Sequence, residues 1–170
     1  MKIAVVLGSI REGRFGSQVA NWAVSNIAGA ELVDLKSFNL PLLTSAPPMA
    51  MKGKYDVPEQ QAWADAMSKY DAYIFVTGEY NHGIPGALKN AIDSLGVELQ
   101  GKKASFISYG FDGAIRAVDQ LRIVLHNFSM RLPRAQVSIN LNTEMVDGTF
   151  VPGDHQIGAL TLAVEQLKAS

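Results

Sequence analysis

The sequence predicts a three-layer, doubly wound α/β domain built on a five-stranded parallel sheet, and three observations carry that prediction. Short aliphatic runs recur along the chain, amphipathic stretches separate them, and glycine- or hydroxyl-rich loops follow the runs. Parallel strands need helical crossovers, so runs that alternate with helices imply a sheet covered on both faces.

The first strand is Ile3 to Leu7, a continuous aliphatic run closed by Gly8, as expected of a strand buried on both sides. Ser17 to Ile27 follows as a helix, with Val19, Trp22, Ala23 and Ile27 at helical spacing and Gly29 as its stop. Glu31 to Phe38 is a second, weaker strand, and Pro41 to Gly53 reads as a long loop. Asp56, Pro58 and Glu59 signal a helix start, and Ala62, Ala66 and Met67 continue that helix. Ala72 to Thr77, rich in branched and aromatic residues, is the third strand. Gly86 to Leu95 carries Ala87, Leu88, Ala91, Ile92 and Leu95 on one helical face. Ala104 to Tyr109 is the fourth strand, Ile115 to Phe128 a helix, and Ala135 to Leu141 the fifth strand. A last helix, capped by Asp154, ends near Lys168. All of this reads as one domain over residues 1–170.

The 170 residues are 48% hydrophobic with a net charge of -1, average values for a globular chain. With no cysteine there is no disulfide, no zinc ribbon, no iron-sulfur cluster and no thiol nucleophile, so any redox chemistry needs a bound cofactor. The run Ile3 to Leu7 is too short for a signal-peptide core, no stretch approaches the ~20 apolar residues of a membrane span, and no charge run indicates a nucleic-acid groove. A cytoplasmic protein acting on small molecules, with neither membrane nor nucleic acid as partner, is the expectation.

In doubly wound sheets ligands bind beyond the carboxyl ends of the strands, at the point where strand order reverses. The loops after Leu7, Thr77 and Tyr109 are therefore the ones to inspect. Gly8 to Ser17 contains three glycines, two serines and two arginines, the composition of an anion cradle at a helix N-terminus. A solvated, glycine-rich turn is the plain alternative. A nucleotide P-loop is nearly spelled here, but Arg14 stands in the lysine position and Phe15 in that of the magnesium-binding hydroxyl. A low-molecular-weight phosphatase loop would place Arg14 well, yet Gly8 replaces its cysteine nucleophile. The G-x-G-x-x-G dinucleotide pattern is missing too. A monophosphate ester such as FMN fits this loop best.

The second loop, Thr77 to Gly86, runs into a helix that contains Lys89, Asn90 and Asp93. Its run EYNHGIPGALKNAIDSL closely resembles the signature of the NADPH-dependent FMN reductase family, flavodoxin-like quinone, azo-dye and chromate reductases. GSIREGR resembles the phosphate segment of that family, and SYG at Ser108 to Gly110 followed by RAVDQLR resembles its third flavin loop. The resemblance spans about the first three quarters of the chain.

It implies that Ser9, Arg11, Arg14, Gly16 and Ser17 surround the FMN phosphate. It also implies that Glu79, Tyr80, Asn81 and His82 lie along the isoalloxazine ring, chiefly through backbone groups, while Ser108, Tyr109 and Gly110 close the other side. The implied activity is transfer of electrons from NADPH or NADH through FMN to a quinone, flavin, azo compound or metal oxyanion, in a homodimer or homotetramer. No side chain is expected to act as acid or base, because the flavin does the chemistry. His82 has a plain alternative as a loop histidine bonded to a carbonyl, Tyr80 and Tyr109 as ordinary loop packing. His126 and His155 read as structural. Pro47 to Met51 is open between acceptor lining, subunit contact and solvated loop. A flavodoxin-type one-electron carrier is the chief rival function, but such carriers are strongly acidic and this chain is not; an FMN-binding protein with little turnover is the other alternative.

Similar proteins usually carry proline where Gly78 stands. If the backbone there suits proline's φ, Gly78→Pro should raise stability by about 0.4–1 kcal/mol through the unfolded state and keep FMN binding. Chemical denaturation with flavin titration measures both, and loss of flavin would mean that this loop is shaped differently.

Overall fold

The computed structural model describes residues Met1–Ser170. Strands β1 (Ile3–Leu7), β2 (Ala30–Asp34), β3 (Ala72–Thr77), β4 (Lys103–Gly110) and β5 (Val137–Asn140) form one sheet in the order β2-β1-β3-β4-β5. Every neighbouring pair is parallel, with Val5 opposite Leu32 on one side and Ile74 on the other. This is the sheet the sequence predicts. Its order reverses between β1 and β3, so the crevice for a ligand lies beyond Leu7 and Thr77.

The helices are α1 (Gly16–Asn26), a short α2 (Pro48–Met51), α3 (Pro58–Ser68), α4 (Gly86–Asp93), α5 (Ile115–His126) and α6 (Asp154–Ala169). Strand side chains alternate between two cores, as a pleat with period two requires. Ala4, Val6, Tyr73 and Phe75 join the layer of α3, α4 and α5, whereas Ile3, Val5, Leu7, Ile74 and Val76 join that of α1 and α6. Trp63 is fully buried in the first layer and donates its indole N–H to the Ala91 carbonyl at 2.8 Å, which ties α3 to α4. Burying a ring of that size without leaving its N–H unpaired is what makes tryptophan tolerable there.

Besides shifts of one or two residues at other element ends, four features differ from the sequence reading, each for a local reason. The second strand stops at Asp34, because the Asp34 carboxylate accepts the Lys36 N–H at 3.0 Å and turns Leu35–Phe38 into a 3-10 helix. The Pro41–Gly53 loop contains α2, with Pro48 at its first turn, where the missing N–H costs nothing. Gly153, not Asp154, is the N-cap of α6, and the Gln156 side chain accepts its N–H at 2.8 Å. Between β5 and α6 lies an unexpected hairpin, β6 (Met145–Val146) and β7 (Thr149–Phe150), turning on Asp147 and Gly148 at φ 47° and 76°. Asp-Gly is a strong hairpin signal, but two-residue strands give no periodicity to confirm it.

Candidate functional site

Three loops meet at the carboxyl edge of the sheet: residues 8–15 after β1, 78–85 after β3 and 111–114 after β4. They enclose a cleft of about 490 Å³ lined by Arg11, Gly78, Glu79, Tyr80, Asn81, His82, Tyr109, Gly110, Phe111, Asp112 and Leu141.

In the first loop the two arginines are used differently. Arg14 forms a bidentate pair with Asp34 at the end of β2 and also donates to the Ser9 carbonyl. It shapes the loop from behind, so the structure sends this expected phosphate residue elsewhere. Arg11 is exposed and pairs with no acid; its guanidinium lies 5.9 Å from the centre of the Tyr80 ring. The Ser9 hydroxyl is buried and 3.2 Å from the Tyr80 hydroxyl. The Ser17 hydroxyl donates to the Arg14 carbonyl at 2.8 Å. Phe15, at the N-cap of α1, supplies no side-chain acceptor; the Ser17 and Gln18 N–H groups bond to the Arg14 and Phe15 carbonyls at 3.3 and 3.0 Å, which leaves the N–H groups of Phe15 and Gly16 unpaired. Gly16 is required by sterics, since a Cβ there would stand 2.5 Å from the Tyr109 hydroxyl. The Ser17 hydroxyl is thus spent within the loop, and what remains for a phosphate monoester is the unpaired Arg11 guanidinium, the Ser9 hydroxyl and the N–H groups of Phe15 and Gly16.

The second loop is shaped by a tight turn. Tyr80 and Gly83 exchange backbone hydrogen bonds of 3.0 Å each, with Asn81 and His82 between them at φ 50° and 63°. Asparagine and histidine accept this left-handed geometry better than most residues. Gln120 of α5 donates to the His82 carbonyl at 2.9 Å and so braces the turn from outside. Gly78 is not left-handed, but a Cβ there would lie 3.2 Å from the Tyr109 ring, so the gain expected from proline requires that ring to yield.

Glu79 joins the second loop to the third. Its side chain is only 8% exposed; one oxygen accepts the N–H groups of Arg116 and Ala117 at 3.0 and 3.2 Å, and the other takes the Arg116 guanidinium at 2.7 Å. The N-cap of α5 is Ala114, at φ 56°, which has no side chain able to accept those donors, so Glu79 caps the helix across 37 positions. Near the end of β4 Ser108 is buried and donates to the Gly113 carbonyl of the third loop at 2.6 Å, which Ser138 also reaches at 3.0 Å. The Ser108 hydroxyl is thus spent on the loop. Gly110 and Tyr109 do line the cleft. Burial and the nearby Tyr80 push the Tyr109 hydroxyl up to about 12, so it stays neutral at any ordinary pH.

Sequence reasoning missed Arg116, Asp112 and Gln120, which brace the cleft, and Phe111 and Leu141, which line it. The first three flank or fall within the RAVDQLR run, so a signal was present, but roles that depend on contacts across 37 or 38 positions leave no periodic trace.

Fold and cleft together define a flavoprotein of the flavodoxin-like class. The chain belongs to the NADPH-dependent FMN reductase family, whose family model matches residues 1–144. It is 34% identical to an NAD(P)H-dependent FMN reductase of Saccharomyces cerevisiae, with 100% of this chain and 96% of the yeast protein covered. It is 33% identical to a quinone reductase of Pseudomonas putida over 78% of this chain and 75% of that protein. Among solved structures, an NAD(P)H:(acceptor) oxidoreductase flavoenzyme of Paracoccus denitrificans superposes with a TM-score of 0.78 at 21% identity, over 99% and 97% of the two chains. An oxidised flavodoxin of Bacillus cereus superposes at 0.59 and 16% identity over 100% and 99%, a likeness of fold. The chain is an FMN-dependent NAD(P)H oxidoreductase.

Replacing Glu79 with alanine orphans two helix N–H groups and should lower stability by about 1–2 kcal/mol, with weaker FMN binding because two walls of the cleft lose their tie. Denaturation and flavin titration read the two effects; unchanged FMN affinity would make the clamp irrelevant to the cleft. Arg11→Ala should weaken FMN by about 1.5–3 kcal/mol, the scale of a charged hydrogen bond, and leave riboflavin binding nearly unaltered. Equal losses for both ligands would remove the phosphate from this loop.

Proposed function

We propose that this chain, as one FMN-binding domain over residues 1–170, reduces a quinone with electrons from NAD(P)H in a two-step exchange. The observation that carries the reading is an acid-free Arg11, on the loop that leads into α1, in the lining of the same cleft as Tyr80 and Tyr109. The quinone reductase of Pseudomonas putida among its relatives supports quinone as the acceptor; free flavin, azo compounds and metal oxyanions are the other members of the proposed class.

In this reading Ser9, Arg11 and the backbone of Gly16 receive the phosphate of FMN, while Ser17, through the Arg14 carbonyl, and Arg14, through Asp34, hold their loop in shape. The stretch Glu79 to His82 and the Ser108 to Gly110 segment flank the ring, mostly through backbone groups. Bound FMN supplies hydride acceptance and donation. The protein's own part is orientation: Tyr109 remains a neutral group, and no carboxylate or histidine of the cleft has to move a proton in hydride transfer. A single open cleft holds one planar partner at a time, so the oxidised nicotinamide leaves before the quinone enters. The same reading takes the protein as a cytoplasmic homodimer or homotetramer.

Initial rates with NADPH or NADH and a quinone, varied together, should give parallel double-reciprocal lines, and the purified protein should carry near one FMN per chain. Size exclusion with light scattering reads the subunit count. Negligible NAD(P)H oxidation unless a separate reductase is added would overturn the enzyme reading in favour of an electron carrier.

A further inference from the structure

NADPH is a dinucleotide, and only its nicotinamide ring has to reach the flavin cleft. Its adenosine, with the 2′-phosphate, extends beyond that contact and needs a seat of its own. A second cavity, of about 320 Å³, opens on the far side of the phosphate loop. Ile10 lines this cavity and Arg11, the next residue, lines the cleft, so a single stretch of backbone divides them. Ligand pockets usually run from about 300 to 1,000 Å³, so this one suits a nucleoside rather than a whole dinucleotide.

The lining has two parts. Leu35, 3% exposed, is the floor, and Ile10, Leu40 and Ala87 complete an apolar surface of the kind a purine face covers. Lys36 and Asn39 form a polar rim. The wall is fixed: Asn90 donates to the Pro41 carbonyl at 2.9 Å and accepts the Leu43 N–H at 2.9 Å. The ammonium of Lys36 pairs with Glu12, whose side chain is 93% exposed. An exposed pair of that kind is worth little, and a phosphate dianion offers the ammonium a stronger partner. The other groove near the cleft, along Ile84 and Ile123, lacks these features. Its lysine, Lys89, is held by both oxygens of Asp93 at 2.7 and 2.8 Å, and Ile123 is 73% exposed.

We propose that this cavity seats the adenosine end of NADPH, with the 2′-phosphate on Lys36, so that Lys36 sets a preference for NADPH over NADH. The inference rests on the reading of the chain as an NAD(P)H oxidoreductase and adds the seat and its selectivity.

The test uses the FMN-loaded protein and 2′,5′-ADP, a fragment without nicotinamide that reports the cavity without turnover. Calorimetry should show 2′,5′-ADP binding more tightly than 5′-AMP, and the fragment should compete with NADPH. Lys36→Gln should weaken 2′,5′-ADP about tenfold, the loss of one charge-assisted contact, and leave 5′-AMP binding and flavin content unchanged. Lys36→Arg should restore the preference, and Glu12→Gln, which frees the ammonium, should keep or sharpen it. Equal affinity of 2′,5′-ADP for the native protein and Lys36→Gln, or no binding of the fragment, overturns the assignment. If either occurs while NADPH is still oxidised, only the cavity is refuted. Absence of oxidation with both nucleotides refutes the enzyme reading, whatever the fragment does.

Discussion

The buried carboxylate of Glu79 is the contact on which the geometry of the cleft depends. Helix α5 begins at Ala114, in a left-handed conformation forced by the turn after β4, and it has no side chain of its own to satisfy its first N–H groups. Unpaired donors at a buried helix end are costly. Glu79 meets that need from the neighbouring loop, and Arg116 balances its charge while Asp112 in turn engages Arg116. A requirement of helix termination thus becomes a tie between two walls of the cleft. Gln120, one turn further along α5, adds a second tie by bonding the His82 carbonyl.

The phosphate loop is held by comparable means. The Arg14 to Asp34 pair anchors it to the end of β2, and its glycine at position 16 lets the Tyr109 hydroxyl approach closely. Phe15 packs against Tyr109 with ring centres 5.7 Å apart, and against Phe150 at 5.8 Å, which itself meets Trp22 at 5.4 Å. The small hairpin before α6 is therefore part of the support of the loop, since Phe150 closes the aromatic row between α1 and the third flavin loop. Edge-on and tilted contacts of this type add to the area they bury and fix ring orientation.

This arrangement divides labour between protein and cofactor. A redox centre built without cysteine needs a bound cofactor, and in an FMN-dependent enzyme the flavin's own chemistry spares the protein from supplying an acid or a base. What the chain provides is a partly apolar cleft with the acid-free cation of Arg11 in its lining and a braced backbone turn at Tyr80 to Gly83. The residues most visible as chemistry in other enzymes, His82 and Tyr109, serve here as a turn former and a neutral wall.

The layered fold was legible in the sequence because buried parallel strands and amphipathic helices write their periodicity into neighbouring residues: Ile3–Leu7, Ala72–Thr77 and the helical spacing of Leu88, Ala91 and Ile92 lie where the pattern put them. The three loops were legible as well, since strand-to-helix connections rich in glycine and hydroxyls mark the carboxyl edge of such a sheet. What only the tertiary structure decided was the use of each side chain. Arg11 and Arg14 stand in the same loop with the same charge, yet Asp34, brought alongside by the pairing of β1 with β2, takes one of them and leaves the other free. Glu79 reads as a flavin-loop residue until α5 arrives with uncapped donors, and the hydroxyl of Ser108 is claimed by Gly113. The physical reason is common to all three. Periodicity and turn chemistry are local and appear in adjacent positions, whereas the partner of a charged or hydroxylated side chain is chosen by whichever groups the sheet carries within about 3 Å, and those come from strands and helices far apart in the chain.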